Sequence, residues 1–573
     1  MTATDISYQA NAIKLISRYL DADSATKGIY PFIPQKPDFD EKERPTPLPF
    51  KMPSLAGVSP SHLEAFLREI TENKELDMQS LLIIKDGFVT LRAEWGDYTL
   101  SSRKMTHSEC KSLLSLAVGA LIGEGKLTLE SKVADLLSRR LNPILKLSAG
   151  NMTVRHLLTM TTGVIFNELG TVTDRNWLRS FFESGRKFPV GKEFDYNSLN
   201  SYLLSVIVRE VSGESLFSYV ERKILKPLGI TGAFWEKSPE DIECGGFGLY
   251  IFPDDMAKLG LLVLNGGRWN GKEIIPKSYI DKAVTRQIET NGTGDFDYGL
   301  HIWVGQEDKS FLFNGMFGQN LLCYPENGVM IVSNASNGET FQQGPFYAIC
   351  KRFFGKEIPK PRNAVYEEAL LFKRLYLLKN QRIAPRRFPK ELKALIGAHY
   401  ELNGKKPSKA GIMPFILGAI RNYYTEGMTE LYFTEKKNWL FINFVENGLL
   451  HSLPVGFYKT ERSVYDAHGE KYRVAVRGSL GNDTAPYLLL RISFLETSNA
   501  RLLKIYFSKG GEIKVNFSES PNSEFIISAV KREISKIPVR AVSERIFDLL
   551  EGENVKRISE NIFSPTLSGR RIN

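Results

Sequence analysis

The sequence predicts an α+β fold: one antiparallel sheet, flanked by helices, is assembled from distant segments around a mainly helical middle, and a separate β-rich region follows. Three observations carry this. Strand-like runs occupy Ser80–Gly96 and return between Tyr298 and Ser333, with helical periodicity and loops between them. Alternating, aromatic-rich runs dominate again beyond about residue 391, without helical companions. The chain has 573 residues, about four times the ~150-residue prior for a single domain, so at least two packed cores are expected.

Taken in order, residues 1–60 hold a short helical pattern and the Pro-rich stretch FIPQKPDFDEKERPTPLPFKMP, whose prolines lack the N–H that regular structure needs; this reads as an arm and linker. Two β-rich runs then meet at Asp86-Gly87, a dipeptide suited to a tight hairpin. KSLLSLAVGALIGEG places Leu114, Val118 and Leu121 at helical spacing, with Gly125 as its stop. Helices ending at Gly213 and Gly267 follow, then strands near Tyr298–Val304, Phe311–Phe313 and Asn320–Tyr324, the last turning through Pro325-Glu326-Asn327-Gly328 into Val329–Ser333. These elements define a domain over 61–360. A charged helical connector spans 361–390, and 391–573 reads as an antiparallel sheet or barrel with a tail.

Composition narrows the function classes. With 42% hydrophobic, 24% charged and 11% aromatic residues the chain is ordinary globular material. Its net charge of +10, from 75 basic and 65 acidic residues, includes no dense Lys/Arg run of the kind that tracks phosphates, so no nucleic-acid partner is expected. Four cysteines without a C-x-x-C pair encode neither a zinc knuckle nor a disulfide framework. The N-terminus has no basic segment leading into an apolar run, and Gly411–Ile420 is about half the ~20 residues needed to cross a bilayer. A soluble, cytoplasmic protein with no integral membrane segment is expected.

The chemistry concentrates in Ser108-Glu109-Cys110-Lys111. Residues three apart share a helix face, so the Lys111 amine can lie beside the Ser108 hydroxyl. A serine oxygen attacks well only once its proton is removed, and an uncharged lysine can remove it. Burial under the apolar helix and a place in the first helical turn both disfavour the ammonium form. Ser101-Ser102-Arg103-Lys104 fits the same spacing but is not continued by an apolar helical face. The competing reading of Ser108 is a helix N-cap.

The surrounding text resembles the serine β-lactamase and penicillin-binding-protein superfamily, particularly its class C-like esterase and amidase branch. The segments that carry the likeness are HSECKSLLSLAVGALIGEGKLTLESKVADLL, NMTVRHLLTMTTGV, FDYNSLNSYLLSVIVREVSG, ILKPLGI, GGFGLYIFPDDMAKLGLLVLNGGRWNGKEIIP and NGMFGQNLLCYPENGVMIV, in the family's order over roughly residues 60 to 355. Several ordered segments are far more specific than one tetrad. The resemblance implies a β-lactamase-like fold and an acyl-enzyme at Ser108. It also implies a proton-shuttling tyrosine, matched by Tyr196-Asn197-Ser198. Ser198 stands where the commoner form has Asn, and resembles the variant in enzymes similar to 6-aminohexanoate-dimer hydrolase. A third element aligns with Phe313-Asn314-Gly315, where Gly315 permits close backbone approach and the N–H groups of Ser108 and Met316 would form the oxyanion hole. Phe313 in place of the family's basic residue removes a cation that would pair with a substrate carboxylate, which disfavours penicillins. Gln319 reads equally as a substrate contact or a strand-end hydrogen bond.

Other candidates carry less. His107 adjoins Ser108, but sequence neighbours diverge on a helix; His156 reads as packed near the core and Cys110 as a space-filling residue. The expectation is a serine hydrolase acting on a small ester or amide with Ser108, Lys111 and Tyr196 as its machinery, needing no metal or organic cofactor. An acyltransferase using the same intermediate and an inactive scaffold are the alternatives. For the C-terminal region a lid, a dimer contact and a substrate-selecting module all stand, so a homodimer is among the expectations. The apolar GIMPFILGAIRNYY reads as interdomain packing, or as a segment at the pocket mouth.

Overall fold

The computed structural model describes the chain apart from residues 1, 8–9, 12–31, 33, 41, 166–172, 291, 293, 339–343, 381–391, 394, 404–409, 422, 424, 437–438, 458–459, 468, 508–510, 523–563 and 573. Its contacts divide it into two units that are not consecutive along the chain. The first comprises Met1–Gln9, Asp40–Glu94 and Thr99–Tyr376; the second comprises Ala10–Phe39, Trp95–Tyr98 and Leu377–Asn573.

The first unit begins with α1 (Pro60–Glu72), capped by Ser59, whose hydroxyl accepts from the His62 N–H. β1 (Met78–Lys85) and β2 (Phe88–Glu94) form the expected hairpin, and both turn residues are left-handed, Asp86 at φ 48° and Gly87 at φ 83°. β3 (Lys104–Met105) leads to a 3₁₀ turn, His107–Glu109, and directly into α2 (Cys110–Gly123). The sequence suggests an apolar stripe on α2, but the helix is buried almost all round. Its inward hydroxyls are satisfied: Ser112 donates to His301 O at 3.0 Å and Ser115 to Leu300 O at 2.6 Å.

The helical middle includes α3 (Val154–Leu158) and α4 (Ser198–Ser212), α4 ending at Gly213 in the left-handed region (φ 78°). β4 (Phe234–Trp235) and β5 (Leu249–Ile251) pair with β3 in the order β3-β5-β4. α5 (Pro253–Leu264) carries Asp254 in its first turn, held bidentately by Arg92 of β2 at 2.7 and 2.8 Å.

The main sheet is completed by β6 (Phe296–Tyr298), β7 (Trp303–Gly305), β8 (Phe311–Gly315), β9 (Gln319–Tyr324) and β10 (Val329–Ala335), in the order β2-β1-β10-β9-β8-β7-β6. Every pairing is antiparallel, with Ser80 opposite Asn334 and Lys85 opposite Val329. N-terminal and distant C-terminal strands therefore share one sheet, as the α+β expectation requires. One strand differs: the run Tyr298–Val304 divides at Gly299–Ile302, where His301 adopts φ 57° and the chain folds back as the β6–β7 pair. α6 (Pro345–Phe354) and α7 (Ala364–Lys379) follow.

Among the described residues the second unit is built on a ten-stranded antiparallel sheet. Its strands are β11 (His399–Asn403), β12 (Met428–Lys436), β13 (Trp439–Glu446), β14 (Leu449–Val455), β15 (Glu461–Ala467), β16 (Glu470–Asn482), β17 (Pro486–Phe494), β18 (Ala500–Phe507), β19 (Glu512–Ser520) and β20 (Thr566–Arg571). The order is β14-β13-β12-β11-β20-β19-β18-β17-β16-β15. It curls until Gly456, just past β14, bonds to β16 through its N–H to Val476 O (3.1 Å) and its O to the Gly478 N–H (2.8 Å). Period-2 burial along β19 turns one face inward, and Phe433, Ile442, Phe444, Leu490, Ile505 and Val515 fill the interior. Ile412, Met413 and Leu417, around the short α8 (Phe415–Ile420), belong to the same core, so the described part of GIMPFILGAIRNYY packs inside this unit.

Candidate active site

The approach to Ser108 is fixed by β-pairing. Met105 lies opposite Tyr250, and the Thr106 N–H donates to Leu249 O at 2.9 Å, so the chain entering α2 runs beside the Gly245–Gly246 turn that precedes β5. Ser108 sits on the 3₁₀ turn and is partly exposed; Lys111, one turn along, is only 2% exposed.

The Lys111 Nζ has three oxygen neighbours: Ser108 Oγ at 2.9 Å, Ser198 Oγ at 3.3 Å and Gly246 O at 2.7 Å. It forms no ion pair among the described residues. All three oxygens lie within donor reach of that one nitrogen, so Lys111 joins the nucleophile, the first residue of α4 and the Gly245–Gly246 turn. Ser198 opens α4, whose cap is Asn197, its side chain accepting from the Leu199 N–H at 2.8 Å. Tyr196, partly exposed, lays its ring 4.9 Å from the Lys111 Nζ and stacks on Trp303 with centroids 6.0 Å apart at 16°.

β8 reaches the same place through its backbone. A Cβ at Gly315 would collide with Thr106 O, so only glycine lets the strand come this close to the nucleophile turn. Met316 then begins a 3₁₀ turn in which Phe317 is left-handed (φ 66°), and the Phe317 ring meets the ring of His107, itself at φ 48°, at 5.2 Å and 76°. Two strained non-glycine residues thus flank the Ser108 and Met316 backbones.

The side chains of β8 and β9 go elsewhere. Phe313 is fully buried beside Phe311. Asn314 donates to Asn320 Oδ1 (2.9 Å) and Tyr347 OH (2.8 Å). The Gln319 amide donates to Ala335 O and accepts from Asn334, both at 2.9 Å, which is the strand-end bond among its two expected uses. Of the residues named from sequence, Ser108, Lys111, Tyr196 and Ser198 converge as side chains and Gly315 as backbone; Phe313, Asn314 and Gln319 are spent on packing and internal hydrogen bonds.

The neighbouring titratable groups take no part in that convergence. Burial pushes His107 down to about 4, and its Nε2 has no hydrogen-bond partner among the described residues. Burial raises Glu109 well above the usual carboxylate range, keeping it neutral. Cys110 is pushed up to about 12 by burial, with its Sγ 3.5 Å from Gly245 O. His156 is half-buried and closes the cap of α3, its Nδ1 taking the Thr153 N–H at 3.1 Å.

Two residues escape sequence reasoning. Gly246 supplies the carbonyl under the lysine, and the GG pair is its only trace. His301 is buried, with Nδ1 2.9 Å from Leu158 O and Nε2 2.9 Å from Ser201 Oγ, while its own carbonyl accepts from Ser112. It therefore ties α2, beside Lys111, to α4, one turn beyond Ser198. Burial holds its ring down at about 3 and so neutral: Nδ1 carries the proton donated to the carbonyl, and Nε2 accepts from Ser201.

Residues 63–348 match the Beta-lactamase family model. An uncharacterised protein of Alkalihalophilus pseudofirmus is 24% identical over 334 residues, 51% of this chain and 93% of the relative. Protein flp of Staphylococcus aureus is 26% identical over 196 residues, 31% of this chain and 38% of its own length. Among solved structures, a candidate 6-aminohexanoate-dimer hydrolase from Bacillus anthracis aligns at 20% identity and a TM-score of 0.45, covering 63% of this chain and 94% of that one. No helix among the described residues is long and apolar enough to cross a membrane. A nucleophile turn entering a buried helix, and a sheet joining the two ends of one unit, are thus found over the residues that the family model spans, and the chain belongs to the serine β-lactamase and penicillin-binding-protein-like superfamily.

Proposed function

We propose that this protein is a serine hydrolase that cleaves a small ester or amide through an acyl-enzyme at Ser108. The observation that carries the reading is the 2.9 Å contact between Ser108 Oγ and a Lys111 amine whose other oxygen neighbours are Ser198 and Gly246. The amine takes the hydroxyl proton as Oγ attacks the substrate carbonyl. The oxyanion forms against the N–H groups of Ser108 and Met316, each such donor being commonly worth about 3 kcal/mol of barrier. Tyr196, beside the amine, relays the proton to the departing alkoxide or amine. The reverse relay activates water, which releases the acid and restores Ser108.

The pocket favours uncharged acyl groups. Phe313, at the position of the family's basic residue, is buried against Phe311 and brings no cation to a substrate carboxylate, while the partly exposed Tyr196 ring, backed by the buried Trp303, offers aromatic surface near the nucleophile. The test is labelling with a fluorophosphonate probe, alongside turnover of p-nitrophenyl esters, aminoacyl amides and β-lactams. Wild type is expected to label and to hydrolyse uncharged esters, with both lost in Ser108→Ala. Equal labelling of the two proteins would refute the assignment, and rapid β-lactam turnover would refute the substrate class.

A further inference from the structure

One exposed surface lies outside the chemistry described above. α7 is fastened to the first unit by one side only. Glu367 accepts from Ser59 Oγ (2.7 Å) and from the N–H groups of Arg362 and Asn363; Arg374 pairs with Glu64 at 2.7 Å; Leu371 is buried. The opposite face is apolar and largely exposed. Val365 is 82% exposed, Tyr366 62%, Leu370 40%, Phe372 42% and Tyr376 61%, with Ala369 exposed among them. Lys373 is the one charged residue on that arc. These side chains expose on the order of 700 Å², above the ~300–600 Å² of a typical monomer's largest apolar patch. That is close to the ~800 Å² each partner gives to a standard interface.

We infer that this face is covered by α7 of a second copy of the chain in an antiparallel, two-fold pair. Val365, Ala369, Phe372 and Tyr376 follow one another at spacings of four, three and four, the seam along which two helices interlock. Antiparallel pairing about a point between Leu370 and Leu371 is self-complementary, as a two-fold contact must be. Val365 meets Tyr376 of the partner subunit, and Ala369 makes room for Phe372 of the partner subunit. Lys373, otherwise a cost in an apolar seam, comes beside the ring of Tyr366 of the partner subunit, where a cation is favourable. No acidic residue lies on the seam to oppose this register.

Sedimentation equilibrium of the full chain tests the inference. Wild type is expected at about twice the 64.8 kDa chain mass, and Val365→Glu/Phe372→Glu at the single-chain mass with unchanged thermal unfolding. The four native cysteines are buried, so a cysteine placed on the seam reports without background. Ala369→Cys should crosslink to a dimer with a short bis-maleimide, and Leu147→Cys, which is exposed on another helix, should not. A wild-type chain that stays monomeric at tens of micromolar overturns the inference, including one that binds lipid vesicles through α7 instead. A dimer that survives the double substitution, or equal crosslinking of the two cysteine variants, also overturns it.

Discussion

At the scale of residues, the Lys111 amine is the pivot of the site, because it touches the nucleophile, a second hydroxyl and a carbonyl at once. Lys111→Met is expected to lower kcat/KM for an ester by about 10²–10⁴-fold. Serine and base act as one unit, so the Ser108→Ala/Lys111→Met double variant should be no worse than Ser108→Ala alone. His301 acts through others, as a neutral brace between the helices that carry Lys111 and Ser198. His301→Ala should lower kcat with little change in KM. Because burial holds His301 near 3 and His107 near 4, neither ring titrates between pH 5 and 9. The pH–rate profile of His301→Ala should therefore keep the wild-type midpoints; a midpoint near 6.5 that vanishes in this variant would contradict the brace. The Ser108–Lys111 spacing was readable from sequence because three residues make one helical turn. His301 was not, because its role depends on a left-handed turn inside what reads as one strand.

Among the elements, β8 illustrates what patterning conveys and what it hides. Its existence was readable from the apolar run Phe311–Phe313, and the close approach at Gly315 was implied by the family resemblance. Which way its side chains face was not, because alternation alone does not say which face of a sheet meets a helix. Gly315→Ala tests the close approach. The added Cβ meets Thr106 O, a backbone atom that cannot swing aside, so a destabilisation of about 1–3 kcal/mol in chemical denaturation is expected, together with loss of esterase activity.

In the second unit, Arg501 of β18 and Glu519 of β19 are a buried pair at 3.0 Å that also grips the segment before α8. Arg501 donates to Gly411 O at 2.9 Å, and Glu519 accepts from the Phe415 N–H at 2.7 Å. Burial pushes Glu519 up to about 7, with Arg501 pulling it back. A carboxyl held above its unfolded value of ~4.5 favours the fold fully below that pH and less as pH climbs through 7. The unit should therefore melt at a lower temperature at pH 8 than at pH 5, and Glu519→Gln should flatten that difference.

For the whole molecule, the alternation of β and helical text was enough to call for a sheet closed by distant segments, because strands that read as half-buried need partners and only the far ends supply them. The arrangement of the units along the chain was not legible: Trp95–Tyr98 and Ala10–Phe39 group with the second unit although they lie within or before the first in sequence. Trp95–Tyr98, four residues long, is too short to carry a periodicity of its own. The second unit's β-rich character followed from its alternating runs, but its curling into a near-closed sheet depends on the Gly456 contact with β16, which no local signal announces.

The mechanism requires that the Ser108 oxygen itself become acylated. Intact-mass and peptide-mapping spectrometry on protein quenched during turnover of a p-nitrophenyl ester measures this directly. One added acyl group is expected, on the peptide that carries Ser108, absent from Ser108→Ala and much slower to form in Lys111→Met. An acyl group mapped to any other residue, or steady hydrolysis undiminished in Ser108→Ala, would contradict it.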